Sequence, residues 1–257
     1  MGQVARSWLE KLHPVSPYQD FNYQDFPVDL QGWGSRHPIF EQLITELQPR
    51  LILEVGTWKG ASALHMASIL RQQQLDAAII CIDTWLGGIE HVLSLGDRPP
   101  DLHAFQRHGY PTLYYQFLAN VMHTELHDYI IPFPNTSSIA ARWLAFHAVQ
   151  ADLVYIDASH DAADVYQDLV NYWDLVRLNG VMLGDDWRAE WPGVISAVTR
   201  FVEQQGGKVN LELAENKWLL RKLPDPTQVQ IAQLQERLST IEQFLQEFTN
   251  LWTPSEE

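Results

Sequence analysis

The sequence has little of three things: cysteine, positive charge and long apolar runs. Its single cysteine, Cys81, excludes an internal disulfide, and its apolar surroundings (AAIICID) indicate a small core residue. Only 17 basic residues stand against 32 acidic ones, and the resulting net charge of −15 disfavours nucleic acid and anionic membranes as partners. No stretch approaches about 18 uncharged apolar residues, and the N-terminus lacks the apolar core of a signal peptide. We therefore expect a soluble, cytoplasmic protein.

Apolar strands alternate with amphipathic helices from residue 51 onward. This alternation predicts an α/β fold: a Rossmann-like, doubly wound, mostly parallel sheet. Five parallel strands are predicted at residues 51–55, 77–82, 129–133, 152–156 and 180–184. The segments KVNLELAE and WLLRKL follow and indicate an antiparallel hairpin, which completes a seven-stranded sheet.

The 257 residues fit one large domain with appendages. Residues 1–37 are rich in aromatics without a clear period and are interpreted as an N-terminal cap segment. Residues 38–223 form the main domain, with residues 86–112 as an irregular insert or lid. Residues 224–257 contain apolar positions spaced by three and four, which predict an amphipathic heptad helix. This helix either docks on its own domain or pairs with a second copy in a homo-oligomer.

Acidic residues follow two of the predicted strands. Asp157 and His160 come after DLVYI, and Asp185 and Asp186 come after GVMLG. The carboxyl ends of parallel strands meet at one edge of a sheet, where ligands bind. Clusters of carboxylate oxygens suit hard divalent cations such as Mg²⁺. The three aspartates are therefore predicted metal ligands, with helix-capping or turn residues as the alternative. Asp186 either binds the metal directly or supports the other ligands.

His160 stands three residues beyond Asp157, at the mouth of the same crevice. A metal bound by Asp157 and its neighbours would lower the pKa of an acceptor hydroxyl and orient its oxygen. An imidazole with an ordinary pKa near 6.5 suits the removal of the proton. We therefore predict Asp157 and His160 as catalytic residues, with a hydrogen-bonded turn histidine as the alternative.

A glycine-containing turn, EVGTWKGAS, follows the first strand at residues 54–62. Gly56 and Gly60 allow close approach of a ligand, but the third glycine of the dinucleotide fingerprint is missing. Glu54 suits an ammonium or sulfonium group better than a pyrophosphate. Asp83 ends the second strand, where an acidic side chain can accept ribose hydroxyls. Trp58 and Trp85 are candidates to lie against the adenosine or to close the pocket, or else they are core anchors.

Over residues 38–221 these features resemble class I S-adenosylmethionine-dependent methyltransferases. The resemblance implies that Asp83 holds the ribose and that the loop at 134–138 contacts adenine through Ser137 or Ser138. It also implies that four residues line the methionine end of the cofactor: Glu54, Gly56, Thr57 and Gly60.

The acidic residues resemble the metal site of catechol-type O-methyltransferases and, more closely, that of the macrocin and mycinamicin sugar O-methyltransferases. Those enzymes have Asp-x-x-His after the fourth strand and an acidic pair after the fifth, usually Glu-Asp where this chain has Asp-Asp. The resemblance implies Mg²⁺-assisted methyl transfer to a hydroxyl of a small molecule, such as a sugar or glycosylated natural product. A non-catalytic S-adenosylmethionine-binding or metabolite-binding protein and a metal-dependent hydroxylase-like enzyme remain as alternatives.

Overall fold

The computed structural model describes residues 2–93, 101–206, 208–224, 234–235 and 237–243. The chain divides into two units, Met1–Lys222 and Leu223–Glu257. All the strands that the structure describes belong to the first unit.

A seven-stranded sheet forms the centre of the first unit, in the order β5-β2-β1-β6-β7-β9-β8. Five strands are parallel, and β9 pairs antiparallel with both β7 and β8. The predicted mostly parallel sheet with a terminal hairpin is therefore confirmed. The seven strands are β1 Leu51–Val55, β2 Ala78–Asp83, β5 Ile130–Pro134, β6 Ala151–Ile156, β7 Val176–Gly184, β8 Leu211–Ala214 and β9 Lys217–Arg221. A separate two-stranded ribbon consists of β3 Gln106–Arg107 and β4 Tyr110–Pro111.

Helices cover both faces of the sheet because successive strand residues point to opposite faces. In β1, Leu51 and Leu53 pack into one core cluster and Ile52 into the other. The first cluster contains residues of α1, α6, α7 and α8, and the second contains residues of α2, α3 and α5. The helices are α1 Gln3–Leu12, α2 Ile39–Leu47, α3 Ala61–Gln72, α4 Ile89–Val92, α5 Leu113–His123, α6 Ser137–Phe146, α7 Ala162–Trp173 and α8 Pro192–Gln204.

The N-terminal segment begins with α1, a helix that we did not predict. Val4, Ala5 and Leu9 of this helix are buried in the first core cluster. The chain then continues past Tyr18, whose buried hydroxyl donates to the carbonyl of Ile130 at 2.9 Å. These contacts fix the path that leads residues 29–36 to the carboxyl edge of the sheet.

In the second unit, residues 237–243 are helical, and Leu238 and Ile241 of the predicted heptad are exposed. The remainder of the predicted C-terminal helix, apart from residues 234–235, lies outside the described residues. Within the described part of the chain, no helix is long and apolar enough to span a membrane.

Candidate active site

The turn after β1 requires glycine at two positions. Gly56 has φ +85°, and a Cβ on it would lie 2.0 Å from the carbonyl oxygen of Asp157. Gly60 has φ +86°, and a Cβ there would lie 2.8 Å from the ring of Phe117. Because backbone cannot yield as a flexible side chain can, Gly56 is what lets the turn pass against the end of β6.

Asp83, at the end of β2, holds this turn in place. Its Oδ2 accepts hydrogen bonds from the backbone N–H groups of Thr57 (2.8 Å) and Trp58 (2.9 Å), and its Oδ1 accepts one from Trp85 (2.7 Å). Burial raises the pKa of Asp83, and these N–H donors oppose the rise because they favour the carboxylate. Asp83 therefore shapes the turn that it faces.

A cavity of about 780 Å³ opens at the carboxyl edge of the sheet. This volume is in the range of small-molecule sites, about 300–1,000 Å³. Of the residues predicted from the sequence, seven line this cavity: Gly56, Trp58, Asp83, Ser137, Ser138, Asp157 and His160. The structure thus brings together the turn after β1, the end of β2, the start of α6 and the end of β6.

Glu54 does not line the cavity, contrary to its predicted contact with the cofactor. It has no exposed surface, and its carboxylate accepts hydrogen bonds from the Ser62 hydroxyl at 2.5 Å and the Cys81 thiol at 3.5 Å. Burial raises the pKa of Glu54 to about 7. The carboxylate supports the turn from beneath. Thr57 and Gly60 likewise lie outside the cavity wall.

Trp85 is a core anchor, and its predicted role beside the cofactor is not supported. Only 1% of the residue is exposed, and its indole N–H donates to the carbonyl of Trp58 at 2.8 Å. Its ring packs edge-on against Tyr114 at 4.9 Å. Trp58, the other predicted tryptophan, does line the cavity, and so does Trp191.

Asp157 and Asp185 lie on either side of the Tyr155 hydroxyl. This hydroxyl donates to Asp157 Oδ2 at 2.8 Å and lies 3.4 Å from Asp185 Oδ2. Burial, followed by the negative charge of Asp185, raises the pKa of Asp157 to about 7. Lys217 donates to Asp185 Oδ2, and the Asn216 amide donates to Asp185 Oδ1.

Asp186 turns away from Asp185, because its left-handed backbone (φ +63°) directs the two neighbouring side chains to different partners. Asp186 Oδ2 lies 2.8 Å from His160 Nε2, and its Oδ1 lies 3.4 Å from Arg188 Nε. The other ring nitrogen of His160, Nδ1, lies 3.4 Å from Glu90 Oε1.

His160 is therefore poorly suited to the general-base role that the sequence predicted. Burial lowers its pKa, but the hydrogen bond to Asp186 and the ion pair with Glu90 outweigh burial and raise the pKa to about 9. Its ring also stacks on Trp191, with centroids 3.8 Å apart. An imidazole with this pKa is already protonated near neutral pH, so it fixes Asp186 and Glu90 in place.

The donor atoms do not fit the predicted Mg²⁺ site. Asp185 accepts from Lys217, Asn216 and the Asp186 N–H, while Asp186 is paired with His160. Among the residues that the structure describes, no group of three or more histidine, cysteine or acidic side chains is arranged to hold a metal ion.

Sequence reasoning missed Lys217, which lies between the two segments that we predicted as the hairpin. Because β9 pairs antiparallel with β7 and Trp218 is opposite Gly184, the preceding Lys217 lies beside Asp185. The hairpin register was the signal that could have located it.

A family described as a methyltransferase domain matches residues 53–187, just over half of the chain. The chain belongs to this methyltransferase family, and the resemblance noted from the sequence is confirmed at that level. A comparison with curated proteins gave no match.

Several solved structures share the fold. The O-methyltransferase NovP is 18% identical over 74% of this chain and 80% of its own, with a TM-score of 0.56. A putative O-methyltransferase from Klebsiella pneumoniae is 15% identical over 87% and 97%, with a TM-score of 0.54. An O-methyltransferase from Bacillus cereus in complex with SAH is 15% identical over 85% and 91%, with a TM-score of 0.53. At these identities the likeness establishes the fold.

Proposed function

We propose that this chain transfers a methyl group from S-adenosylmethionine to a hydroxyl oxygen of a small-molecule acceptor. The observation that carries the proposal is the single cavity lined by Gly56, Asp83, Ser137 and Asp157. When bound, the cofactor would supply an electrophilic methyl group on a sulfonium. Two proteins of similar fold were solved with such ligands, the Bacillus cereus O-methyltransferase with SAH and the O-methyltransferase TomG with SAM, which supports the choice of cofactor.

The cavity wall has suitable groups for this cofactor. Asp83 Oδ1 accepts only the Trp85 N–H in the described structure, so it retains capacity for a ribose hydroxyl. On the far side, residues 135–138 present amide and hydroxyl groups at the start of α6 for the adenine edge. Ser137 and Ser138 both line the wall, so both stay candidates for that contact.

We assign Asp157 as the group that accepts the acceptor's proton. It is half-buried in the cavity wall, Tyr155 fixes its Oδ2, and its Oδ1 has no hydrogen bond within the described residues. Its pKa of about 7 suits proton transfer near neutral pH. As the new C–O bond forms and the C–S bond breaks, the hydroxyl proton passes to Asp157, leaving a methyl ether and S-adenosylhomocysteine.

For the acceptor we propose a sugar ring or a glycosylated small molecule. Trp33 is 54% exposed, and its ring lies 6.2 Å from that of Trp58, which lines the cavity. An exposed indole at this position offers an apolar face for a sugar ring. A panel of free sugars, glycosides and catechols, assayed with radiolabelled cofactor, tests this choice. Methylation of catechols alone would contradict it.

We do not propose assistance by a divalent cation, which the sequence predicted. Asp185 and Asp186 already have cationic partners in Lys217 and His160. No step is therefore assigned to a metal.

Calorimetric titration with S-adenosylmethionine tests the cofactor assignment. We expect binding by the wild-type chain and at least tenfold weaker binding by Asp83→Asn, because the amide nitrogen cannot accept the hydrogen bonds of the carboxylate. Asp20→Asn, at an exposed carboxylate outside the cavity, is the matched control and should bind as the wild type does. Absence of binding by the wild type would refute the proposal. Binding without methylation of any acceptor would favour the non-catalytic alternative.

A further inference from the structure

Lys217 is a fully buried lysine at the centre of the acidic residues. It is the first residue of β9 and has no exposed surface. Its ammonium also lies over the rings of Tyr155, 5.0 Å from the centroid, and Phe40, 5.4 Å from the centroid. A buried ammonium is retained only when nearby groups compensate for its lost hydration.

Two groups make that compensation. Lys217 Nζ pairs with Asp185 Oδ2 and donates to the Tyr155 hydroxyl at 2.9 Å. The Tyr155 hydroxyl in turn donates to Asp157 Oδ2 at 2.8 Å. The ammonium therefore neutralises one aspartate directly and orients the other through a single tyrosine.

The N-terminal segment closes over this pair. A Cβ on Gly34 would lie 2.6 Å from Asp185 Oδ2 and 3.1 Å from Lys217 Nζ, so the backbone passes directly above them. Magnesium requires near-octahedral coordination and usually retains several water molecules. The space beside Asp185 is instead filled by the ammonium and covered by backbone.

We propose that Lys217 takes the place of a divalent cation in this site. Its ammonium supplies a fixed positive charge that neutralises Asp185 and, through Tyr155, positions Asp157 beside the acceptor. The site then works without a metal ion. The role of Asp157 rests on the proposed function, whereas the occupation of the cation position by Lys217 does not.

Binding of Mn²⁺, measured by electron paramagnetic resonance and calorimetry, tests this directly. We expect no stoichiometric Mn²⁺ binding by the wild type. Lys217→Met should gain a site with at least tenfold higher affinity, because it leaves Asp157 and Asp185 without a cation. Lys217→Arg, which keeps the charge, should again exclude Mn²⁺, and adding Asp185→Asn to Lys217→Met should abolish the gained site.

Lys222→Met is the matched control. Lys222 lies just beyond the other end of β9, and its ammonium donates to the carbonyls of Trp173 and Val176, far along the hairpin from the acidic residues. Lys222→Met should not gain Mn²⁺ binding. This control distinguishes the specific loss of the Lys217 charge from a general loss of stability.

If Lys217→Met fails to fold, Mn²⁺ binding by the wild type and by Asp185→Asn still tests the proposal. Stoichiometric Mn²⁺ binding by the wild type that is lost in Asp185→Asn would overturn the proposal, and so would a folded Lys217→Met without gained affinity. Cofactor binding is measured separately on the same samples. A chain that binds neither Mn²⁺ nor S-adenosylmethionine would refute the proposed function and leave the assignment of Lys217 standing.

Discussion

Replacing His160 by Gln should destabilise the protein at acidic pH and have little effect at alkaline pH. In the folded chain the imidazole lies between Asp186 and Glu90, and its pKa is raised from 6.5 to about 9. A raised histidine pKa means that the folded state binds the proton more tightly than the unfolded state does. The resulting stabilisation is fully present below pH 6.5 and is lost as the pH rises through about 9.

The magnitude follows from the two pKa values. One pKa unit corresponds to about 1.4 kcal/mol, so the full difference sets an upper limit of about 3 kcal/mol. Solvent screening at this incompletely buried position reduces the expected contribution to about 1–2 kcal/mol. The two ion pairs with Asp186 and Glu90 account for this free energy.

Urea denaturation of the wild type and His160→Gln at pH 5.5, 7.5 and 10 measures this contribution. We expect the wild type to be more stable by about 1–2 kcal/mol at pH 5.5 and the difference to shrink toward pH 10. His103→Gln, at an exposed histidine, should show no such trend. A difference that stays constant or grows with pH would refute the assignment of His160 as a charged structural residue.

Three further substitutions test the remaining assignments. Asp157→Asn should lower turnover by about 10²–10⁴-fold, which is the usual contribution of a general base, and should remove the acid limb of the pH–rate profile near pH 7. Retained turnover with an unchanged acid limb would exclude Asp157 as the general base. Glu54→Gln should leave the calorimetric affinity for S-adenosylmethionine within about twofold, because a group without exposed surface cannot contact the cofactor; a tenfold loss would restore the contact predicted from the sequence. Gly56→Ala should destabilise the chain by about 2 kcal/mol or more in thermal denaturation, because a left-handed backbone is unfavourable for alanine by about 1–2 kcal/mol and the new Cβ meets the Asp157 carbonyl. Gly109 also has a left-handed backbone (φ +79°) but has open space around it, so Gly109→Ala measures the backbone effect without the steric clash.

The sheet was predictable because its information is local and repeated. Each buried strand is a short apolar run bounded by turn residues, and the alternation with helices dictates a parallel arrangement. The rule that ligands lie at the carboxyl ends of strands then located the site, and Asp83 and Asp157 do line its cavity. Helix α1 was missed although its core-facing residues lie at helical spacing: Val4, Ala5, Trp8, Leu9 and Leu12. We interpreted residues 1–37 as one aperiodic segment because the aromatic residues that follow the helix show no period.

The roles of individual side chains were less predictable because they depend on contacts distant in sequence. Asp185 and Asp186 are adjacent in the sequence, but the left-handed backbone of Asp186 directs the two carboxylates to different partners, Lys217 and His160. Whether Glu54 faces the cavity or the core likewise depends on the pleat at the end of β1. The charge state of His160 depends on Glu90, which comes from the insert and carries no pattern that pairs the two.

The position of Gly34 has a consequence for the order of folding. The segment containing it is synthesised early, yet the surface it covers is complete only when Lys217 has docked beside Asp185. Bringing together segments so distant in sequence is slow, because the entropy of loop closure is lost before any compensating contact forms. Until β9 has paired with β7, residues 29–36 have no complete surface to pack against. Ribosome-bound chains that end before β9 should therefore expose residues 29–36 to protease, and the released full-length chain should protect them.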